Sequence, residues 1–278
     1  MKIDWESFEK WLERDYKAET ARVRYSYARK YSSLLIDGDL SPLLRLTPEK
    51  RLHVLKGLSA LSRFLGKRDH FRALMANYGL KWNGKGRGEM IIARLSREPD
   101  DKAILAWTAE AKGVLGDLGL FVDFVLASGL RLNEAVGAWN LIIRLGREGR
   151  LNEYFNEKTG ALEHFRFKKD FIRRTKAVYI SFVPEALISR ILKEGKPTTK
   201  DQIGCRLKRA GIRLRFSDLR ELWASKMTRF LRVPEIDLLQ GRVGASIFMA
   251  NYYNPAHIGD LKERVLLGIE ELLGLQGG

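Results

Sequence analysis

The chain has 278 residues, enough for one large domain or two ordinary ones, and its 45% hydrophobic and 10% aromatic content excludes a disordered polyelectrolyte. Its 50 Lys and Arg against 34 Asp and Glu give a net charge of +16 and a pI near 9.9, a field that favours a polyanion as partner. A single cysteine, Cys205, excludes an intramolecular disulfide and any metal site built on several thiolates.

From the N-terminus, DWESFEKWLERDY sets Trp5, Phe8, Trp11 and Leu12 at the spacing of an amphipathic helix. The long second helix, TARVRYSYARKYSSLLI, mixes Arg22, Arg24, Arg29 and Lys30 with Tyr25, Tyr27 and Tyr31. Basic and aromatic side chains interleaved in this way suit a phosphate backbone, although each tyrosine also has the option of packing inward. Thr47-Pro48 starts a further helix, an N-cap followed by proline at the first helical position. Residues 1–82 therefore read as a small helical domain. The glycine-rich stretch GLKWNGKGRGE marks a boundary, and residues 83–99 are the expected linker, a basic strap carrying Lys85 and Arg87.

Residues 100–278 read as a second domain. DLGLFVDFVLASGLRLNEAVGAW is an apolar helical run broken at Gly129. Between Leu162 and Pro184, two runs rich in Phe, Val, Tyr and Ile flank a basic turn, the pattern of a β-hairpin. RFSDLRELWASKMTRFL, PEIDLLQ, ASIFMANYY and DLKERVLLGIEELLGL follow as successive helices. The expected fold class is mainly α with a small β-hairpin or sheet (α+β). No apolar run approaches the ~20 residues that span a bilayer, and no basic-then-apolar leader opens the chain, so a soluble cytoplasmic protein without a membrane partner is expected.

Histidines stand at 53, 70, 164 and 257 without HExxH or paired-carboxylate spacing, which leaves metal hydrolysis and histidine-led acyl transfer without support. Arginines are placed differently. Arg131 follows the helix-breaking Gly129 by two residues, with Glu134 at i+3 to hold its guanidinium. Arg220 is expected in the first turn of a helix capped by Ser217 and Asp218. Arg242 follows the glycine of LLQGR, and Tyr252 comes ten residues later, before Tyr253.

SGLRLNEA resembles the first arginine box of the tyrosine recombinases, the phage-type integrases, and SDLRELWASKM resembles their second. LLQGRVGASIFMANYY is similar to the stretch that precedes and holds their nucleophile. The resemblance covers about Leu118 to Pro255 and is nearest the archaeal virus and plasmid branch. Two positions depart from the common pattern: Ser217 stands where His or Lys opens the second box, and Arg242 where His or Trp is usual. Arg215 is a candidate for the role that Ser217 cannot take.

The resemblance implies a two-domain DNA clamp, a helical core-binding domain and a catalytic domain, that assembles as a tetramer on double-stranded DNA and exchanges strands through a Holliday junction. It implies Tyr252 as nucleophile, forming a 3′-phosphotyrosine, with Arg131, Arg220 and Arg242 as the clamp on the transition state and Glu134 behind Arg131. It also implies a general-acid lysine on the β-hairpin, for which Lys176 is favoured over Lys168 and Lys169. Expected DNA contacts are Arg22, Arg24, Arg29, Lys30, Lys85, Arg87, Lys169 and Arg215. Neither cofactor nor metal is implied, because the phosphotyrosine keeps the bond energy. Planar guanidinium forks match the charge that spreads over non-bridging oxygens, and also favour the phenolate as it forms. Rival readings are a non-catalytic DNA-binding protein of the same fold and a type IB topoisomerase. The apolar stripe of the last helix, Leu261, Val265, Leu266, Ile269, Leu272 and Leu273, is placed either against its own domain or on a neighbouring subunit.

Overall fold

The computed structural model describes residues 3–82, 88, 91–92, 95–96, 101–173, 176–212, 215–242 and 259–274, with Arg173 and Lys176 by backbone alone. It is mostly helical with a small antiparallel sheet, and it divides into two compact units, Met1–Glu98 and Pro99–Gly278.

The first unit contains α1 (Trp5–Asp15), α2 (Ala18–Ile36), α3 (Ser41–Leu44), α4 (Pro48–Phe64) and α5 (Arg68–Asn77). Asp4 caps α1 by accepting the Ser7 N–H at 3.0 Å, and Thr47 caps α4 through the Lys50 N–H at 3.4 Å. Helices α2 and α4 close tightly at Gly57, where a Cβ would stand 2.9 Å from the Ala28 nitrogen; only a residue without a side chain lets the two backbones approach so far. Phe8, Leu12, Leu35, Leu55, Leu58 and Phe71 fill the core between them. Gly88, Ile91, Ile92 and Leu95 are helical, so at these positions the expected strap is helix instead. The apolar i, i+1, i+4 spacing of Ile91, Ile92 and Leu95 outweighs the preceding glycines.

The second unit is built around α7 (Gly119–Ser128), buried along its whole length. Around it stand α6 (Asp101–Leu115), α8 (Leu132–Arg147), α9 (Lys168–Phe171), α10 (Glu185–Glu194), α11 (Lys200–Arg209), α12 (Phe216–Met227), α13 (Val233–Leu239) and α14 (Leu261–Gly274). Phe121, Phe124, Trp139 and Trp223 anchor the core. β1 (Phe155–Asn156), β2 (Ala161–Leu162) and β5 (Ser181–Phe182) form an antiparallel sheet in that order, with Phe155 opposite Leu162 and Ala161 opposite Phe182. A separate hairpin pairs β3 (Ile172–Arg173) with β4 (Lys176–Ala177).

The hairpin is shorter than the run of aromatic and branched residues predicts. Residues 164–171 form a 3₁₀ turn and then α9. The charged run Lys168-Lys169-Asp170 is exposed and has little β-propensity, while His164 and Phe171 turn inward together, their rings 4.5 Å apart. No single helix among the described residues is long and apolar enough to cross a membrane.

The terminal helix α14 lies against its own unit. Leu261, Val265, Ile269 and Leu272 are buried in the same core as Trp223 and Met227, and a Cβ at Gly268 would meet the Met227 sulfur at 2.5 Å. Arg264 adds a polar clasp, donating to both Glu235 carboxylate oxygens at 2.8 and 2.7 Å, to the Phe230 carbonyl at 2.9 Å and to Asp260 at 3.0 Å.

Candidate functional site

Three chain reversals are brought together in the second unit, and each carries one of the arginines singled out above. The first is the corner between α7 and α8. Gly129 ends α7 with φ +60°, and its N–H returns to the Val125 carbonyl. A Cβ there would sit 2.5 Å from the Trp223 ring, so the position demands glycine both for its dihedral and for the close approach of α12. The Trp223 indole N–H donates to the Ala127 carbonyl at 3.0 Å, which sets α12 on the corner. Arg131 then occupies the N-cap position of α8. Glu134, buried in the first turn, accepts the Arg131 backbone N–H at 3.1 Å and its guanidinium at 2.9 Å.

The second reversal is the start of α12. Its N-cap is Arg215, so Ser217 and Asp218, expected at the cap, lie two and three positions past it inside the first turn, and Arg220 begins the second turn. Arg220 is almost wholly buried. Its Nη1 donates to the Gly129 carbonyl at 2.7 Å and its Nη2 to the Gln240 carbonyl at 2.5 Å. One side chain thus joins the α7–α8 corner to the end of α13.

That end is the third reversal. Gly241 adopts φ +58°; its N–H bonds to the Leu238 carbonyl, and the Arg242 N–H to the Asp237 carbonyl at 2.7 Å. These are the two bonds of a Schellman motif. A Cβ on Gly241 would lie 2.2 Å from the Ala177 carbonyl oxygen. The hairpin strand that contains Lys176 therefore packs directly on the turn that presents Arg242. Gln240 is fully buried and returns the bond it receives, its side-chain amide donating to the Arg220 carbonyl at 3.0 Å.

Burial pushes the Arg220 guanidinium down to about 9, the nearby Arg131 charge pushes it further in the same direction, Glu134 opposes, and Arg242 again disfavours protonation. Two like charges, Arg131 and Arg242, are thus held close to a desolvated third. Arg131 is part-exposed and Arg242 exposed, with Asp237 4.0 Å from the latter. An oxyanion set between the planar guanidinium groups would relieve this repulsion and accept bidentate hydrogen bonds.

The remaining sequence candidates fall in three groups. Tyr252 and Tyr253 lie outside the described residues, as do Lys85 and Arg87, and the Lys176 side chain is not described. Lys168 and Lys169 are exposed on α9, away from the strand itself, and Arg215 is exposed with Asp218 3.9 Å away. In the first unit, Arg22, Arg29 and Lys30 are exposed and Arg24 is half-buried. Tyr25 turns into the core against Trp5 and Phe8, whereas Tyr27 stacks between Tyr31 and His53 at 6.4 and 5.6 Å.

Two features had no signal in the sequence. One is Gln240, whose partner is twenty residues away. The other is a buried chain beside the hairpin: the Tyr154 hydroxyl lies 2.7 Å from His164 Nδ1, and His164 Nε2 lies 2.8 Å from the Ser181 hydroxyl. Burial lowers His164 to about 3 and raises the Tyr154 phenol well above its usual value, the latter helped by the Asp170 charge. A neutral imidazole in a closed core ties β1, β2 and β5 together and does no surface chemistry.

No family model matches the chain, and neither a curated protein nor a solved structure matches it.

Proposed function

We propose that the protein is a site-specific DNA recombinase of the tyrosine type, cleaving and rejoining strands through a covalent 3′-phosphotyrosine. The observation that carries this reading is Arg220, whose guanidinium joins the Gly129 and Gln240 carbonyls and so gathers Arg131, Arg220 and Arg242 around one point. Such a group of cations in partly desolvated surroundings supplies what in-line attack on a phosphodiester needs, namely fixed donors where charge spreads in the transition state. In this reading the Tyr252 hydroxyl releases its proton to water as its oxygen bonds to phosphorus, the P–O5′ bond breaks and the 5′-oxygen leaves with a proton from Lys176; resealing runs the same steps backwards, the 5′-hydroxyl returning its proton to Lys176 and the freed phenolate regaining one from water. The contact of Gly241 with Ala177 supports the assignment of Lys176, since it sets the hairpin beside the Arg242 turn. The net charge of +16 supports duplex DNA as substrate. A clamp of both units around DNA, a tetramer and a Holliday-junction intermediate complete the proposal.

The test uses a pool of nicked duplexes of randomised sequence, in which cleavage releases a short fragment and traps the enzyme. A protein–DNA adduct that resists denaturation should form with the wild type and disappear in Tyr252→Phe. Absence of an adduct from the wild-type chain would refute the cleavage reading, and an adduct that survives Tyr252→Phe would refute the choice of nucleophile.

A further inference from the structure

The first unit contains a second group of arginines, assembled from α1, α2 and α4. Arg24 on α2 sets its guanidinium carbon 4.0 Å from the centroid of the Tyr16 ring, just beyond α1. Arg63, near the end of α4, donates to the Tyr16 hydroxyl and lies 5.6 Å from the Trp11 ring. Trp11 and Tyr16 are themselves in edge contact at 6.3 Å, and Trp11 leans on Phe64. The rings are therefore anchored in the core of the unit.

Among the described residues, neither Arg24 nor Arg63 forms an ion pair. Two other arginines of the unit are occupied differently. Arg14 faces Asp15 at 3.5 Å, and Arg51 donates to the Leu43, Leu44 and Leu46 carbonyls at 2.9 to 3.0 Å, which holds the α3–α4 turn. Arg63 spends one N–H on the Tyr16 hydroxyl and keeps its other donors, and Arg24 over the Tyr16 ring keeps its own; a guanidinium braced in this way loses little further rotamer freedom on binding and is matched to the oxygens of a phosphate. Cations that serve only solubility need no such bracing, and cations that serve only the fold find carboxylates or carbonyls, as Arg14 and Arg51 do.

We propose that Arg24 and Arg63, braced on Tyr16 and Trp11, grip neighbouring backbone phosphates of duplex DNA, giving the first unit a sequence-independent anchor. This rests on duplex DNA as the partner and not on the cleavage chemistry. Contacts of this kind position a protein on the duplex without reading bases.

The experiment is equilibrium binding of the full chain to a fluorescent duplex of unrelated sequence, measured by anisotropy across a salt series. Wild type should bind with a linear dependence of log K on log salt. Arg24→Gln and Arg63→Gln should each lower the slope by about 0.9, one phosphate contact apiece, and the double variant by about 1.8. Tyr16→Leu keeps both charges but removes the brace, and should weaken binding several-fold with the slope unchanged. Lys10→Gln carries the same charge change on an exposed residue paired with Glu6 at 2.7 Å, and should leave the slope as it is. Arg24→Lys and Arg63→Lys preserve the slope while losing affinity, which covers the case of a glutamine variant that fails to fold. The proposal is overturned if wild type does not bind, if the slope is untouched in the arginine variants, if Lys10→Gln lowers it equally, or if Tyr16→Leu binds as tightly as wild type. Retained binding with these slopes and no covalent adduct would remove the recombinase reading and leave the anchor standing.

Discussion

Replacing His164 by glutamine should remove most of one acid-dependent loss of stability from the second unit. In the fold His164 is wholly buried between Tyr154 and Ser181 and its imidazole is pushed down to about 3. In the unfolded chain the same ring titrates near 6.5. The folded value is the depressed one and the charged form is the protonated one, so the unfolded state binds the extra proton. The contribution of the neutral ring is therefore complete above about pH 6.5 and is lost as pH falls toward 3. Each pH unit below 6.5 costs about 1.36 kcal/mol, which amounts to about 2 kcal/mol at pH 5. Glutamine keeps a donor and an acceptor for the two hydroxyls and does not titrate. Urea unfolding at pH 7, 6 and 5, followed through the buried Trp139 and Trp223, should show wild type losing about 2 kcal/mol more than His164→Gln over that range. Carboxylates and the exposed His53 and His70 are common to both proteins and cancel in the difference. Parallel losses in the two proteins would show that His164 is protonated in the fold, and would refute a dry Tyr154–His164–Ser181 chain.

The other expected outcomes concern the arginine site. Arg220→Lys keeps a positive charge but cannot reach the Gly129 and Gln240 carbonyls together; adduct formation should fall about 10²- to 10³-fold, the usual effect of losing one fixed donor to a transition-state oxyanion. Gly241→Ala meets both a positive φ and the Ala177 carbonyl at 2.2 Å, so the free energy of unfolding should fall by more than the cost of backbone strain alone, about 1 to 3 kcal/mol, and the melting temperature should fall with it. An unchanged melting temperature would show that the hairpin does not rest on the Arg242 turn.

Local signals were enough for the parts of the site that are local. Arg131 and Glu134 are one helical turn apart, Gly129 ends an apolar run, and Gly241 ends another, so each reversal is readable from its own few residues. What could not be read is which reversals meet. Arg220 finds its two carbonyl partners 91 and 20 residues away, and no periodicity encodes such a meeting. The hairpin shows the opposite failure. The aromatic and branched residues between Leu162 and Pro184 do indicate β-structure, but His164 and Phe171 are drawn inward by Tyr154, with rings 5.6 and 6.2 Å from it, and the chain between them folds into helical turns. Tertiary packing decides there over propensity. In the first unit the helices and the cap at Thr47 were legible, whereas the seating of Arg63 on Tyr16, 47 residues away, was not.

The electrostatics of the arginine site lead to one more consequence. Arg131 and Arg242 both disfavour the charge on Arg220, and only Glu134 among the named neighbours favours it. A fold that keeps such a group together without an anion gives up stability, because a cation at Arg220 is more easily accommodated in the unfolded chain, where its neighbours and its solvation are released. An anion at the site reverses the sign of that interaction, so binding must stabilise the fold in proportion to occupancy. Sulfate, a doubly charged stand-in for a phosphate, should therefore stabilise the second unit by about 1.4 kcal/mol at ten times its dissociation constant. Sulfate also stabilises proteins generally through exclusion from their surface, so the informative quantity is the difference from Arg242→Gln. That variant removes an exposed member of the group while leaving the buried bonds of Arg220 in place. Thermal melts in sulfate and in chloride at matched ionic strength should show a larger sulfate gain for wild type than for Arg242→Gln. Equal gains would mean that the three arginines do not act as one anion site, and the reading of Arg131, Arg220 and Arg242 as a clamp on a phosphodiester would fall with them.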